Sequence, residues 1–446
     1  MENYSANLWH PMIHPNEVKQ REAVHIVSAD GVYLKDAKGR ELLDGNAGGL
    51  WCVNVGHNNR KIKEAINRQI EELTFYQIFD GISHPRATEL AKKLIEITQQ
   101  EGMKRVFFTS GGSDSNETAL KLARQYHLLN GQPERKKMIS LKGAYHGSHF
   151  GASTMSGMSL LHRAYEPLVP GGLSVEMPAL YRNPWQCDDP EALVELCIAQ
   201  LIAEIEYQVP ETIAAIIAEP VNGANLIIPP ASYWPRLREV CDRYGILLIA
   251  DEVITGFGRS GCLFGSRGWG VAPDMMCLAK GISSGYIPLG AVMINERMEQ
   301  AWDANDDDRG IIVTGVTYAG HPLACAAALA AIDIVEQEDL ANNARVQGDY
   351  LLEQLKPFAS KYPSVGDVRG KGLMIALDLV ESKVSREPVD PARDFPYQVA
   401  AAARRNGLMI RCYGNKIMAS PSLIYTRQHC DQLVTALGQA FDEVDN

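Results

Sequence analysis

The sequence predicts an α/β protein with a mostly parallel central sheet and a second, smaller α+β domain built from both ends of the chain. Between about residues 60 and 330, amphipathic stretches such as RKIKEAINRQIEEL alternate with short apolar runs. Helices that alternate with buried strands indicate βαβ units and a doubly wound sheet. The two ends lack this alternation, so we expect them to fold separately from the centre.

The apolar runs of the central region are predicted to be buried strands. They are too short to form independent helices, and apolar runs without alternation are typical of strands covered on both faces. The predicted strands are VFFT (106–109), AAIIAEP (214–220), ILLIADEV (246–253), MMCLAK (275–280) and AVMIN (291–295).

The ends of the chain predict smaller elements. Residues 24–45 contain two alternating strands around DG and KG turns, and residues 326–356 predict one long helix bent midway. Short strands follow in LMIALDLV, LMIRCY and KIMASPSLI, and a last amphipathic helix covers about 427–443. We therefore expect a large domain over 60–325 and a small domain made of 1–59 and 326–446, with a ligand cleft between them.

Charge and composition exclude several classes of function. The 446 residues carry a formal net charge of −11, which argues against nucleic acid or an anionic membrane as the main partner. No apolar run approaches the roughly 18–20 residues of a membrane span, and the first residues, MENYSANLWHPMIHP, show no basic-then-apolar signal pattern. The nine cysteines form no CxxC pair or metal-ligand spacing, so we expect reduced thiols, a cytoplasmic protein and no metal.

A phosphate-binding turn is the first chemical feature. In TSGGSDSNETALKLAR (109–124), a strand leads through Gly112 and Ser113 into a strongly helical stretch. Free amides at a helix N-terminus bind anions, although a simple capped helix gives the same pattern. The turn matches neither the Walker sequence nor GxGxxG, so ATP and NAD are poor candidates.

Asp251 and Lys280 are the other two chemical candidates. Each follows an apolar strand, at the end where α/β sheets place their ligands. Asp251 suits a protonated pyridine nitrogen, and a lysine in an apolar pocket becomes a usable nucleophile. Alone, each has a plainer interpretation, as a structural aspartate and a surface lysine. Together with the phosphate turn they supply an anion cradle, an acid partner and an amine, which pyridoxal 5′-phosphate (PLP) requires.

The chain resembles the class III, fold-type I aminotransferases, the family of omega-amino acid and amine transaminases. The resemblance covers nearly the whole length and rests on motifs in the family's order. They are GNAGGLWCVNVGH (45–57), FFTSGGSDSNETALKLAR, GAYHG (143–147), AEPVNGA (218–224), ADEVITGFGRSG, LAKG, TYAGHPLACAAALA (317–330), VRGKGLMIALDL (368–379) and IRCYGNKIMASPSLIYT (410–426).

The resemblance implies a seven-stranded sheet in the large domain and a role for each matching residue. Lys280 is the Schiff-base lysine, Asp251 holds the ring nitrogen, and Tyr145 and Val253 cover the two ring faces. The phosphate is bound by Gly112 and Ser113, with Thr317 reaching the site of a neighbouring subunit in a homodimer.

Further roles follow from the same resemblance. Glu219 supports the ring hydroxyl, Trp51 and Phe79 line the substrate side, and Arg411 binds a substrate carboxylate. Trp51 could instead be core packing and Arg411 could pair with a local aspartate. His57 and His146 receive no catalytic role.

The implied reaction is transfer of an amino group from an omega-amino acid or primary amine to a keto acid such as pyruvate. Departures from the family pattern, chiefly Asp80 and Gly81 in FYQIFDGISHP (75–85), keep an alternative open. That alternative is a PLP-dependent lyase that eliminates ammonia or phosphate. A non-catalytic PLP-binding module is a third possibility, against which the presence of Lys280 argues.

Overall fold

The computed structural model describes residues 7–445, which form three sheets of seven, five and four strands. The strands of this range are β1 (Ile26–Asp30), β2 (Tyr33–Asp36), β3 (Glu41–Asp44), β4 (Met103–Thr109), β5 (Lys137–Leu141), β6 (Gly172–Val175), β7 (Ile213–Ala218), β8 (Leu247–Asp251), β9 (Met275–Leu278), β10 (Gly290–Asn295), β11 (Val365–Gly370), β12 (Ile375–Ser382), β13 (Glu387–Pro388), β14 (Leu408–Met409), β15 (Arg411–Tyr413) and β16 (Lys416–Ala419).

Helices surround these sheets. Within residues 7–445 they are α1 (Pro15–Gln20), α2 (Arg60–Glu72), α3 (Pro85–Ile97), α4 (Gly112–Leu129), α5 (Phe150–Met155), α6 (Ser159–His162), α7 (Pro190–Tyr207), α8 (Tyr233–Tyr244), α9 (Gly265–Gly268), α10 (Glu296–Asp303), α11 (Pro322–Gln337), α12 (Leu340–Leu355), α13 (Phe358–Lys361), α14 (Phe395–Arg405) and α15 (Arg427–Val444). No helix in this part of the chain is long and apolar enough to cross a membrane.

The seven-stranded sheet has the order β4-β10-β9-β8-β7-β5-β6. Adjacent strands are parallel from β9 through β8, β7 and β5 to β6. Strand β10 is antiparallel to both of its neighbours, β4 and β9. The predicted α/β class with a mostly parallel, seven-stranded sheet is therefore confirmed. All five predicted strands lie in it.

Strands β5 and β6 were missed by the sequence analysis. Strand β5 has the sequence KMISL and β6 has GLSV, so polar and small residues interrupt both apolar runs. Strand β6 lies at the edge of the sheet, where a strand has a neighbour on only one side. Its apolar run is correspondingly weak.

One edge of this sheet gathers several strand ends. The parallel strands β7, β8 and β9 finish there at Ala218, Asp251 and Leu278. Strand β4 finishes at the same edge, because β10 pairs Gly290 with Thr109 and its next residue with Leu278. Loops that follow the carboxyl ends of such strands form the usual ligand site of an α/β sheet.

The four-stranded sheet joins the two ends of the chain, since β3 pairs in parallel with β14. Residues 24–45 form three strands, where the sequence predicted two, because the chain reverses again at Gly39 with φ 81°. The domain limits at 59/60 and 325/326 stay a prediction, and residues 1–6 and 446 of the outer ranges lie outside the described residues.

The predicted helix over 326–356 is broken rather than bent. Helix α11 ends at Gln337 and α12 begins at Leu340. Between them Asp339 has φ 48°, a left-handed conformation that cannot continue a right-handed helix. The last helix, Arg427–Val444, agrees closely with the predicted span.

Candidate active site

A cavity of about 370 Å³ lies at the edge where the strand ends meet. It brings together seven of the residues selected from the sequence, which are Gly112, Ser113, Tyr145, Glu219, Asp251, Val253 and Lys280. These residues are separated by up to 168 positions in the chain (280 − 112), and the parallel sheet places them around one space.

Lys280 lies directly after β9, in a short 3-10 turn over Lys280–Ser283. Its φ of 45° is a left-handed conformation, which is costly for a residue with a side chain and is typical of functional sites. Among residues 7–445 no carboxylate lies within ion-pair distance of its amine, and burial lowers the pKa of that amine. The Lys280 amine therefore loses its proton more easily than an exposed lysine, and it lines the cavity. A nucleophilic lysine requires both properties.

Asp251 is a buried carboxylate held by three hydrogen bonds. It is 3% exposed, and its Oδ2 accepts hydrogen bonds from Asn116 Nδ2 at 2.7 Å and His146 Nδ1 at 2.8 Å. Its Oδ1 accepts one from the Val253 amide at 3.1 Å. No lysine or arginine pairs with it in the described chain, so its negative charge is available to a cation in the cavity.

Helix α4 begins at the cavity with Gly112 and Ser113. The first-turn amides of a helix have no partner within the helix and attract anions. A side chain at Gly112 would place its Cβ 2.8 Å from Val253 Cγ1, so only glycine allows this close approach. Ser113 Oγ accepts a hydrogen bond from the Ser148 amide at 3.1 Å, which fixes the hydroxyl beside these amides.

Glu219 connects two loops at the cavity wall. Its Oε1 accepts hydrogen bonds from the Tyr145 amide at 3.1 Å and Asn222 Nδ2 at 2.6 Å, and its Oε2 accepts one from the Gly223 amide at 2.7 Å. Burial raises the pKa of Glu219 and also that of Tyr145. Glu219 thus positions Tyr145, whose side chain lines the cavity.

Four selected residues do not line this cavity in the single chain. Trp51 is buried in a small apolar cluster, and the Arg411 guanidinium lies 5.6 Å from the centre of its ring. Phe79 and Thr317 are exposed on the surface. Their roles stay predictions.

The structure adds Asn116 and His146, which the sequence analysis left without a role. Asn116 lies one turn into the helix of the phosphate-binding turn, and His146 directly follows Tyr145. Proximity to these motifs was the only available signal, because nothing in the sequence shows that both side chains reach Asp251. Their carboxylate contacts make them positioning residues for Asp251.

The residues fit PLP at three separate points. The start of α4 suits a phosphate, the buried Asp251 carboxylate suits a protonated ring nitrogen, and the Lys280 amine suits an aldehyde. The short distance between Gly112 and Val253 closes one side of the space in which a flat ring would lie.

The family model for class III aminotransferases matches residues 14–441. The chain belongs to the class III aminotransferase family. It is a PLP-dependent aminotransferase of fold-type I. The reaction class implied by the sequence motifs is thereby confirmed, and the matches give the elimination alternative no support.

Several characterised proteins resemble this aminotransferase along its length. The putrescine–pyruvate aminotransferase of Pseudomonas aeruginosa is 37% identical over 97% of this chain and 93% of its own. The PLP-bound structure of an amine transaminase from an uncultivated Pseudomonas species is 53% identical, with a TM-score of 0.97 over 98% of this chain and 99% of its own. An (S)-enantioselective omega-transaminase from Thermomicrobium roseum is 41% identical, with a TM-score of 0.95 over 99% and 97% of the two chains.

Proposed function

We propose that this enzyme transfers the amino group of a primary amine or an omega-amino acid to a keto acid such as pyruvate. The proposal rests on one observation: the Lys280 amine and the Asp251 carboxylate line the same cavity. The printed names of the relatives, a putrescine–pyruvate aminotransferase and an amine transaminase, support this choice of donor and acceptor.

Each residue of the cavity has a separate proposed role in the reaction. When bound, PLP supplies an aldehyde for the amino group and a ring that accepts electrons from the reacting carbon. The Lys280 amine would hold the cofactor through its aldehyde, and the same amine would carry a proton during the transfer. Asp251 would pair with a protonated ring nitrogen, and Tyr145 and Val253, which line the same cavity, would contact the ring. Donor and acceptor use the same groups in turn, so ping-pong kinetics are expected.

Arg411 is proposed to bind the carboxylate of the acceptor. Its guanidinium lies 5.6 Å from the Trp51 ring and 5.8 Å from the Tyr413 ring, and its Nη1 donates to the Gly49 carbonyl at 3.3 Å. No carboxylate pairs with it among residues 7–445, in contrast to the alternative of a local aspartate partner. A planar guanidinium held between rings is suited to a planar anion.

A homodimer is proposed because a large apolar surface remains exposed on the single chain. Phe75 contacts Tyr318 with 5.7 Å between ring centres, and Phe79 lies against Gly315. The exposed apolar residues of this surface are Phe75, Tyr76, Phe79, Ile82, Ile311, Ile312, Val313 and Tyr318. A residue that contributes to the site of a neighbouring subunit must be exposed on the single chain. Thr317 is exposed within this surface.

A cytoplasmic location is proposed on the state of the thiols. All nine cysteines are free, and five of them are buried. Unpaired cysteines in this number are typical of proteins from reducing compartments.

A panel of primary amines and omega-amino acids, assayed with and without pyruvate, tests the proposed function. Alanine and the carbonyl product should form in equal amounts, and only when pyruvate is present. Ammonia or phosphate released at full rate without a keto acid would contradict the proposal and favour elimination.

The Lys280→Ala variant tests the role of this lysine, with an exposed lysine as its control. It should remove the visible absorption of the covalently held cofactor and lower turnover by about 10³-fold or more, because both nucleophile and proton carrier are lost. Lys104→Ala, at an exposed lysine on β4, should leave both unchanged.

A further inference from the structure

A second cavity, of about 220 Å³, lies behind the turn that carries Tyr145. It shares no lining residue with the cavity of Lys280. Asn225 lines this second cavity, and its Nδ2 donates to the carbonyl of Gly143 at 2.9 Å, two residues before Tyr145. The cations that line this second cavity are Lys142, Arg182, Arg369 and Lys416.

One of these cations, Lys416, forms no direct ion pair in the described chain. The other three are paired, Lys142 with Glu176, Arg182 with Asp378 and Arg369 with Asp367. Lys416 is 7% exposed, and its Nζ donates to Asn415 Oδ1 at 2.9 Å. No carboxylate lies within ion-pair distance of that Nζ in the part of the chain that the structure describes. Asp378 faces Lys416 from the neighbouring strand, and Glu176 also lines the cavity. The four cations are thus set against three carboxylates, Glu176, Asp378 and Asp367, which leaves one excess positive charge at the cavity.

A second donor beside Lys416 is held in a fixed position. Arg182 Nε donates to the Arg386 carbonyl at 2.8 Å, and Nη2 donates to Asp378 Oδ1 at 2.7 Å. These contacts leave Nη1 without a hydrogen bond in the described chain. The orientation of the guanidinium is therefore set before any ligand enters.

The opposite wall is equally rigid. Arg369 Nε donates to the Leu226 carbonyl at 2.6 Å, and its Nη2 donates to the Asn225 carbonyl at 2.8 Å. Asp378 accepts from Arg369 at 3.1 Å and from Asn415 at 2.6 Å. Its single negative charge is therefore shared among Arg369, Arg182 and Lys416.

We propose that this cavity binds a small oxyanion, a phosphate or a compact carboxylate, between Lys416 and Arg182. An oxyanion offers at least two acceptor oxygens, which matches one ammonium and one guanidinium edge. A volume of about 220 Å³ accommodates an anion of this size. The site is separate from the phosphate-binding start of α4 and does not depend on the proposed substrate.

Thermal unfolding of the PLP-loaded enzyme at pH 7 tests the proposal, with inorganic phosphate titrated against chloride at constant ionic strength. Lys416 is protonated there, because burial lowers its pKa only to about 8. Phosphate should raise Tm in a saturable manner, as a ligand of the native state does. The Lys416→Met variant should lose this saturable rise, and Lys104→Met, which removes an exposed charge, should keep it.

Two results would overturn the proposal. One is a wild-type Tm that responds to phosphate no more than to chloride. The other is a Lys416→Met enzyme that keeps the full phosphate response, which would show that phosphate binds elsewhere on the protein. If Lys416→Met fails to fold, Lys416→Gln serves instead, and visible cofactor absorption reports the fold of either. A selenate-soaked crystal should show anomalous density at about 3 Å from Lys416 Nζ, and its absence at saturation would also contradict the site.

Discussion

Among single residues, Asp251 is the one whose environment is most specialised. Asn116 Nδ2 donates both to its Oδ2 at 2.7 Å and to the His146 carbonyl at 2.6 Å, so one amide fixes the carboxylate and the neighbouring loop together. A carboxylate can only accept, so the 2.8 Å contact with His146 requires the ring proton on Nδ1. Together the two donors fix the orientation of the Asp251 carboxylate.

His146→Ala is therefore expected to weaken cofactor binding. Loss of a hydrogen bond to a charged group costs about 1.5–3 kcal/mol, which corresponds to roughly a 10–100-fold rise in the PLP dissociation constant. Titration of apoenzyme with PLP, followed by its visible absorption, measures the change. His57→Ala is the control, because His57 makes a similar 2.9 Å contact with Asp44 outside the cavity. An equal effect of both variants would mean that His146 acts only through overall stability.

Arg411 allows a prediction about substrate selection. Replacement by Gln removes the charge but keeps a polar side chain, so the KM for pyruvate should rise about 10–100-fold. The KM for an amine donor without a carboxylate should change by less than about threefold, since that donor gains nothing from the charge. Steady-state kinetics with both substrates varied give the two constants. Arg345→Gln, at a largely exposed arginine, is the control. Equal rises in both KM values would contradict a carboxylate-binding role.

At the scale of secondary structure, the start of α4 and the turn after β8 pack so closely that the position of each depends on the other. Gly112 approaches Val253 so closely that a methyl group would lie 2.8 Å from its Cγ1, whereas a methyl group at Gly111 meets nothing within 4 Å. Two adjacent glycines thus have different tolerances, although both belong to the same turn.

Gly112→Ala should displace Val253 toward the cavity and reduce PLP affinity. Overpacking of this kind costs about 1–3 kcal/mol, so the dissociation constant should rise by roughly 5–150-fold. Gly111→Ala should have little effect, since its φ of 176° is an extended conformation open to any residue. Spectroscopic PLP titration of both variants tests the difference, and equal affinities would show that the contact with Val253 is relieved at no cost.

The sequence predicted those elements whose pattern is local. Apolar runs identified β4 and β7 to β10, and the motif order identified Lys280, Asp251 and the turn at Gly112. Strand β5 was missed because Lys137 and Ser140 interrupt its apolar run. The contacts of Asn116 and His146 with Asp251 were also beyond prediction, because they join residues 135 and 105 positions apart. Such contacts follow from the order of strands in the sheet, which no local pattern specifies.

At the scale of the whole molecule, the exposed apolar surface lies close to helix α4, which begins at the active-site cavity. Gln125 of α4 donates from Nε2 to the carbonyls of Arg309 and Ile311, both at 2.8 Å. The segment with Ile311, Ile312 and Val313 is therefore attached to the helix that begins at Gly112. An apolar surface of this extent on a monomer is unusual and is typical of an interface.

Val313→Glu should disrupt the proposed homodimer. Val313 is 88% exposed in the single chain, so a charge there is harmless to the monomer and is buried only on association. An unpaired charge in an interface costs about 3–5 kcal/mol, which raises the dimer dissociation constant by roughly 10²–10³-fold or more. Light scattering coupled to size-exclusion chromatography measures the mass across a concentration series. Val384→Glu, at a 97% exposed valine between β12 and β13, should leave the mass unchanged.

Activity measured on the same samples connects assembly to catalysis. If Thr317 serves the neighbouring subunit, turnover of Val313→Glu should fall in parallel with the dimer fraction and recover as protein concentration rises. A fully active monomer would contradict the shared site while leaving the chemistry of Lys280 intact. A wild-type protein that remains monomeric at every concentration would contradict the homodimer itself, and the apolar surface would then require a different partner.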